Sequence, residues 1–194
     1  MDTTRRERKR LDQLDQMATA AWSLFEQHGF DTVTMEQIAL AADVAKGTLY
    51  NHFSSKEALL AHHFHRQLAQ DAQRLRGDFA AQRGIAAQLR FYLRTSAGWM
   101  AGHRGYLPHY LRHRFVNLGS GERSGTDDLL LAVFDHACAA GELRADVPPA
   151  RLMSLFRFMT LSTTMQWLLT PDLDLTTEYE RMLDVFLHGA GDQT

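Results

Sequence analysis

Residues 34–56 read TMEQIALAADVAKGTLYNHFSSK, and this stretch combines signals for a helix start, a tight turn and a second helix. Thr34 and Gln37 have the spacing of a capping box, which predicts that a helix begins at Met35. Apolar residues then recur every three or four positions, so one side of this helix is expected to be buried. Asp43 tolerates the turn or left-handed conformation that a sharp reversal requires. The stretch therefore predicts two short helices joined by a turn.

The second helix is expected from Lys46 to Phe53, and its two faces differ. Leu49 and Phe53 form the face to be buried. The other positions carry hydrogen-bond donors or aromatic rings and no carboxylate: Lys46, Thr48, Tyr50, Asn51 and His52. Such a face suits a polyanion. Two short helices in this arrangement form a helix-turn-helix, which places its second helix in the major groove of DNA.

This segment resembles the DNA-binding signature of the tetracycline-repressor (TetR) family of bacterial regulators. The matching residues are Ile38, Ala39, Ala42, Val44, Lys46, Gly47, Thr48, Leu49, Tyr50, His52, Phe53, Lys56 and Glu57. The resemblance implies an all-α fold. Residues 1–56 would be the helix-turn-helix DNA-binding domain with a basic N-terminal arm, and residues 57–194 a helical effector-binding and dimerisation domain. Asp43 and Ala45 depart from the family pattern, because glycine is common at the first position and a capping Ser or Thr at the second.

The resemblance also implies which residues contact DNA. Phosphates would be held by Thr34, Thr48, Tyr50, His52 and Lys56, and the residues nearest base edges would be Lys46, Gly47 and Asn51. The chemistry is suitable, because hydroxyl, imidazole and ammonium groups donate to phosphate oxygens and a glycine allows close approach of the backbone. Taken singly, a tyrosine or histidine is more often a packing or surface residue. The spacing of the whole set is what favours DNA binding.

Charge and composition give a mixed picture. The chain of 194 residues carries a net charge of -2, and residues 1–60 hold seven Lys/Arg against nine Asp/Glu, which argues mildly against DNA binding. Local placement favours DNA binding, because all three lysines lie in the first 56 residues and residues 5–10 form a basic arm, expected to be mobile.

The single cysteine excludes an intrachain disulfide. With no signal peptide or membrane-length apolar run, we expect a cytoplasmic protein.

The remaining chain reads as helices without a strand pattern. One helix is expected over Leu11–His28, ending at Gly29, and another after Phe53, begun by a capping box of Ser54 and Glu57. Further helices are predicted over Ile85–Gly102, Gly105–Phe115, Thr126–Gly141, Pro149–Thr170 and Thr177–His188, the last begun by a box of Thr177 and Glu180, with a flexible connector over Asn117–Gly125.

Large apolar residues are abundant in the second half of the chain. On the last two helices six are expected to be exposed: Leu155, Phe156, Met159, Trp167, Met182 and Phe186. By the resemblance, these two helices would pair with those of a second copy in a four-helix bundle. It also implies an effector pocket, for which the favoured residues are Trp99, Tyr106, Tyr110, Met159 and Trp167. The alternative for each is ordinary core packing.

Metal, cofactor and catalytic sites are not predicted. His109 and His113 have the i, i+4 spacing of two ligands, and His62, His63 and His65 lie close together, yet no acidic partner stands at matching spacing. Cys138 reads as a small buried residue. Neither a dinucleotide fingerprint, a phosphate loop nor a nucleophile elbow is present, so we expect no enzyme activity.

The leading hypothesis is a homodimeric repressor that a small, mostly apolar effector releases from a pseudo-palindromic operator. An activator or an effector-independent regulator of the same family is the first alternative. An all-helical ligand- or metal-binding protein or enzyme, whose N-terminal domain contacts another protein, is the alternative from a different class.

Overall fold

The computed structural model describes residues 2–117 and 126–189, and in these ranges it contains ten helices and no strand. The all-α prediction is confirmed. The helices are α1 (Asp2–His28), α2 (Met35–Ala41), α3 (Lys46–His52), α4 (Lys56–Arg74), α5 (Arg76–Ala80), α6 (Ile85–Gly102), α7 (Leu107–Val116), α8 (Asp127–Ala139), α9 (Pro149–Leu169) and α10 (Leu175–His188). The predicted connector lies outside the described residues, apart from Asn117. No helix in the described ranges is long and apolar enough to cross a membrane.

The prediction of a mobile N-terminal arm is wrong, because α1 already begins at Asp2. Residues 2–28 contain neither glycine nor proline, and the basic stretch consists of Arg, Lys and Glu, which are strong helix formers. Once Leu11–His28 has formed a helix, adding residues at its end requires no new nucleation. Gly29, with a φ of 81°, ends the helix as predicted.

The chain divides into two compact units. The first comprises Met1–Gln70 and Gly105–Gly125, and the second comprises Asp71–Arg104 and Thr126–Thr194. The core of the first unit includes Met17, Phe25, Ile38, Leu49, Leu59, Leu60 and Phe64, and that of the second includes Leu89, Leu93, Phe134, Phe156, Tyr179 and Leu183. The predicted boundary after residue 56 divides a DNA-binding domain from an effector-binding and dimerisation domain. This division by function stays a prediction.

In the second unit α9 packs against both α8 and α10. A helix with neighbours on two sides buries residues toward both, so Phe156 and Trp167 are buried, as is Met182 on α10. The prediction that these three residues are exposed is wrong. The interior also contains a polar contact, because the hydroxyls of Thr164 and Tyr179 are 2.7 Å apart. Burial raises the pKa of the Tyr179 phenol, which therefore stays protonated.

Two helix starts differ from the prediction by a few residues. The hydroxyl of Ser55, and not of Ser54, accepts the Ala58 N–H at 3.3 Å at the start of α4. At α10 the carboxylate of Asp174 accepts the Thr177 N–H at 2.8 Å, so Thr177 lies inside the helix. The five-residue α5 was not predicted, because one turn and a half is too short to show a period.

Candidate nucleic-acid interface

The start of α2 is fixed by the predicted capping box. The hydroxyl of Thr34 accepts the Gln37 N–H at 3.2 Å, and the Gln37 side-chain oxygen accepts the Thr34 N–H at 2.8 Å. Met35, Ile38 and Ala39 are buried below it. The box therefore fixes the first turn of α2 over the core of the first unit.

The turn after α2 is a Schellman motif. The Asp43 N–H donates to the Leu40 carbonyl at 3.1 Å and the Val44 N–H to the Ala39 carbonyl at 3.0 Å. Asp43 has a φ of 52°, in the left-handed region, where glycine is the usual residue. Val44 follows as a half-buried residue between the two helices. The chain thus reverses within three residues, at the cost of one strained aspartate.

The two faces of α3 differ as predicted. Leu49 has no exposed surface and Phe53 is 6% exposed, so this side anchors the helix. On the other side Lys46, Gly47, Tyr50 and Asn51 are exposed, and Thr48 and His52 are half-buried. Added bulk at Gly47 would meet nothing within 4 Å, which leaves the backbone open to close approach. Ala45 makes no side-chain cap, as its position in the family pattern suggested.

Lys46 is held in place by two neighbours. Its ammonium forms an ion pair with the carboxylate of Glu36 on α2 and lies 5.8 Å from the ring centroid of Tyr50. The hydrogen bond between the two charged groups lowers the pKa of Glu36 and raises that of Lys46. Both side chains are more than half exposed, so the pair is screened by solvent and can be exchanged for a stronger anion.

Lys56 has a structural contact that the sequence did not predict. Its ammonium donates to the carbonyls of Phe30 at 2.7 Å and Asp31 at 3.2 Å, and it lies 4.8 Å from the Phe30 ring centroid. These bonds tie the start of α4 to the segment between α1 and α2. An ammonium has three N–H donors, so one remains for a phosphate beyond these two bonds.

Within the first unit, α7 packs onto the segment that leads into α2. The imidazole of His109 stacks on Phe30 with ring centroids 4.0 Å apart, and the Tyr106 hydroxyl donates to the Phe25 carbonyl at 3.1 Å. Arg112 forms an ion pair with Glu57 at the start of α4. Sequence reasoning missed this brace, because its partners are separated by 55 to 81 positions and no local pattern connects them.

The five predicted effector residues fall in both units. In the first, the buried Tyr110 lies 3.1 Å from His65 through its hydroxyl, and Tyr106 makes the contact described above. In the second, Trp99 stacks on His103, Met159 is half-buried, and Arg104 lies over the ring of the buried Trp167, 4.1 Å from its centroid. Their role in binding an effector stays a prediction.

The histidines of the first unit lie among different partners. His62 is 2.8 Å from a carboxylate oxygen of Asp15, His63 stacks on Trp22, and His113 lies 3.3 Å from the side-chain nitrogen of Asn117. In the described parts of the chain no three His, Cys, Asp or Glu side chains are grouped as a metal site would need.

Comparison with known proteins agrees with this geometry. Residues 18–62, which contain the helix-turn-helix, match the family model described as bacterial regulatory proteins, tetR family. This segment of the chain therefore resembles the DNA-binding domain of TetR-family regulators. The HTH-type transcriptional regulator UidR of Escherichia coli (strain K12) is 44% identical over 41 residues. That match spans 21% of this chain and 21% of UidR, so it covers about a fifth of its curated relative.

Solved structures resemble almost the whole chain. Thermus thermophilus FadR, a TetR family transcriptional repressor in complex with lauroyl-CoA, matches with a TM-score of 0.75 and 26% identity, over 93% of this chain and 96% of that one. FadR from Bacillus subtilis in complex with stearoyl-CoA matches with a TM-score of 0.63 and 19% identity, over 91% and 98%. The second likeness shows the fold alone. Both extend the TetR-like architecture to the helices after α4.

The left-handed conformation of Asp43 predicts that two substitutions change the free energy of unfolding in opposite directions. Asp43→Gly should raise the free energy of unfolding by about 0.5–1 kcal/mol, because glycine adopts a positive φ without a Cβ clash. Asp43→Ala should lower it by about 1 kcal/mol, since alanine keeps the clash and lacks the polar side chain. Urea unfolding followed by circular dichroism at one protein concentration measures both. Equal stability of the two variants would contradict the assigned strain.

The Glu36–Lys46 pair generates a second prediction. Glu36→Gln should strengthen binding to a duplex of unrelated sequence by roughly a few-fold in low salt, because the exposed carboxylate no longer competes for Lys46. Fluorescence anisotropy with a labelled duplex measures the change. Glu26→Gln removes the same charge from an exposed position of α1 and is the matched control. An equal gain in both variants would show a general charge effect and contradict a specific role of the pair.

Proposed function

We propose that this chain is a homodimeric transcriptional regulator that binds operator DNA through α3 and is released by a ligand with a long apolar chain. One observation carries the proposal: the outer face of α3 presents exposed donors and no carboxylate, while its inner face is anchored in the core by Leu49 and Phe53. An anchored helix with a polar outer face is what major-groove recognition requires.

The DNA contacts follow from the positions on that face. Lys46 and Gly47 are exposed in the first turn of α3, and Asn51 is exposed one turn later, four residues after Gly47 and so on the same side of the helix. The groups proposed to hold phosphates are Thr34 at the start of α2, Thr48, Tyr50 and His52 on α3, and Lys56 at the start of α4. Glu36 competes for Lys46 in the free protein, so a phosphate or base must displace it.

The proposed dimer rests on the exposed side of α9. Leu155, Phe158, Met165 and Leu169 are between 44% and 80% exposed, and together with Ser162 they recur every three or four residues along one side. A stripe of four exposed apolar residues and one serine along one side of a helix is typical of a helix that packs against a partner. Val185 on α10 is also exposed. A second copy of this chain is the partner we propose, because two identical reading helices match a pseudo-palindromic operator.

The proposed effector class comes from a solved structure that resembles this chain in both fold and sequence, with a TM-score of 0.75 and 26% identity. Thermus thermophilus FadR is 26% identical to this chain and binds lauroyl-CoA in its structure. We therefore propose an acyl-CoA as effector. Its acyl chain agrees with the expectation of an apolar ligand, whereas its CoA part is large and anionic and departs from that expectation. Release requires the acyl-CoA to bind the state that cannot bind DNA more tightly than the other state, since a ligand of equal affinity for both shifts nothing.

The experiment that tests the function is selection of genomic fragments by the purified protein, followed by titration with acyl-CoA. Enrichment of one pseudo-palindromic sequence, and its release by long-chain acyl-CoA but not by free CoA, is expected. By reciprocity, the recovered duplex must weaken acyl-CoA binding by the factor by which acyl-CoA weakens duplex binding. Fragments without a shared sequence would contradict the regulator. A shared sequence that no acyl-CoA releases would contradict only the effector.

The stripe on α9 predicts the effect of a charge at its centre. Phe158→Glu should give a monomer in analytical ultracentrifugation, because a dimer would bury the carboxylate without a partner. The same variant should lose cooperative binding to the recovered duplex. Phe115→Glu on α7 places the same charge on another exposed phenylalanine and is the control, expected to remain a dimer. A dimer of unchanged affinity for Phe158→Glu would exclude α9 as the interface.

A further inference from the structure

Residues 5–12 near the start of α1 are helical without being packed against other parts of the core. All eight residues of 5–12 are exposed, and the first buried residue of the helix is Met17. Most helices in proteins owe their stability to an apolar face that is buried by tertiary packing. Residues 5–12 lack such burial, so packing in the core does not dictate their sequence.

This segment concentrates positive charge. Five of the 21 lysines and arginines of the chain fall within residues 5–10, where the only acidic residue is Glu7. At about 100° per residue their side chains spread around more than half of the helix. We name residues 5–10 the basic segment; it consists of Arg5, Arg6, Glu7, Arg8, Lys9 and Arg10. Although the chain has a net charge of -2, the basic segment creates a local positive potential that attracts an anionic partner.

We propose that the basic segment is a second DNA-contacting surface, which binds backbone phosphates outside the half-site read by α3. This inference rests on the proposed function. The segment belongs to the same compact unit as α2 and α3, and α1 packs against α2 through its later turns. Its contribution is independent of sequence and adds affinity to the base contacts made by α3.

A helical segment excludes the contact that an extended arm would make. A helix with side chains is about 10–12 Å wide, whereas the minor groove is about 6 Å wide, so the segment cannot enter it. The segment also contains no Asn, Gln, Ser or Thr that would read a base pair by its amide or hydroxyl group. Long cationic side chains spread around a rod are suited to phosphates, which duplex DNA presents on both sides of each groove.

The length of the helix sets how far the contact extends. At about 1.5 Å per residue, Arg5 lies about 18 Å along the axis from Met17, which corresponds to about five base pairs of duplex. The flanking contact is therefore expected within about five base pairs of the half-site. A duplex trimmed at the half-sites should lack it, and one extended by about ten base pairs at each end should contain all of it.

The experiment compares these two duplexes, built on the sequence recovered by genomic selection, with wild type and a variant in which Arg5, Arg6, Arg8, Lys9 and Arg10 are changed to Gln. Gln has nearly the helix propensity of Arg and Lys, so the helix is retained. We expect flanks of random sequence to tighten wild-type binding about tenfold in low salt, which corresponds to about two additional phosphate contacts. Each contact should also add about 0.9 to the slope of log affinity against log salt concentration. In the Gln variant the flanks should have no effect.

Two controls distinguish charge at this place from other causes. Changing the four arginines of the segment to Lys keeps the charge and should keep the flank effect. Five exposed arginines of the second unit changed to Gln (Arg74, Arg76, Arg83, Arg94 and Arg144) alter the net charge equally, and the flank effect should persist. Loss of the effect in this second control would contradict the proposal.

The outcomes separate this inference from the proposed function. Tight wild-type binding to the short duplex with no gain from flanks overturns the basic segment as a DNA contact and leaves the regulator intact. Failure of wild type on both duplexes overturns both. Segment-dependent binding to vesicles containing phosphatidylserine, without a flank effect on DNA, would assign the segment to an anionic membrane surface and overturn the proposal.

Discussion

The left-handed conformation of Asp43 is the constraint on which the interface depends. Only a residue with a positive φ lets the Asp43 and Val44 amides satisfy the last carbonyls of α2 while the chain reverses toward α3. The reversal brings Leu49 and Phe53 onto the core, and the opposite side of α3 is then exposed as a consequence. The polar face of α3 is exposed because Leu49 and Phe53, on its apolar face, are buried in the core.

The position of this pair of helices also depends on contacts made far away in sequence. Lys56 holds the carbonyls of Phe30 and Asp31, and the ring of His109 covers Phe30 from α7. The segment before α2 is therefore braced by α4 and by α7 within one unit.

Local signals predicted the two short helices and the buried side of α3, whereas long-range contacts could not be predicted. The capping box at Thr34 and the buried side of α3 follow from spacing alone, and both are present. The predicted arm is helical because positions 2–28 contain no helix-breaking residue, and a basic composition by itself does not distinguish a helix from a mobile arm. Phe156 and Trp167 were expected to be exposed because periodicity cannot show that α9 has neighbours on two sides. The double role of Lys56 required the fold, since its partners lie 25 and 26 positions away.

The central claim is that the outer face of α3 lies against duplex DNA. Photocrosslinking from a benzophenone side chain placed at position 51, with position 26 on α1 as reference, tests it most directly. We expect crosslinks from position 51 to bases in two half-sites separated by about one helical turn, and none from position 26. Crosslinks to bases from position 26 only, or none from position 51 on a duplex that the protein demonstrably binds, would contradict the account.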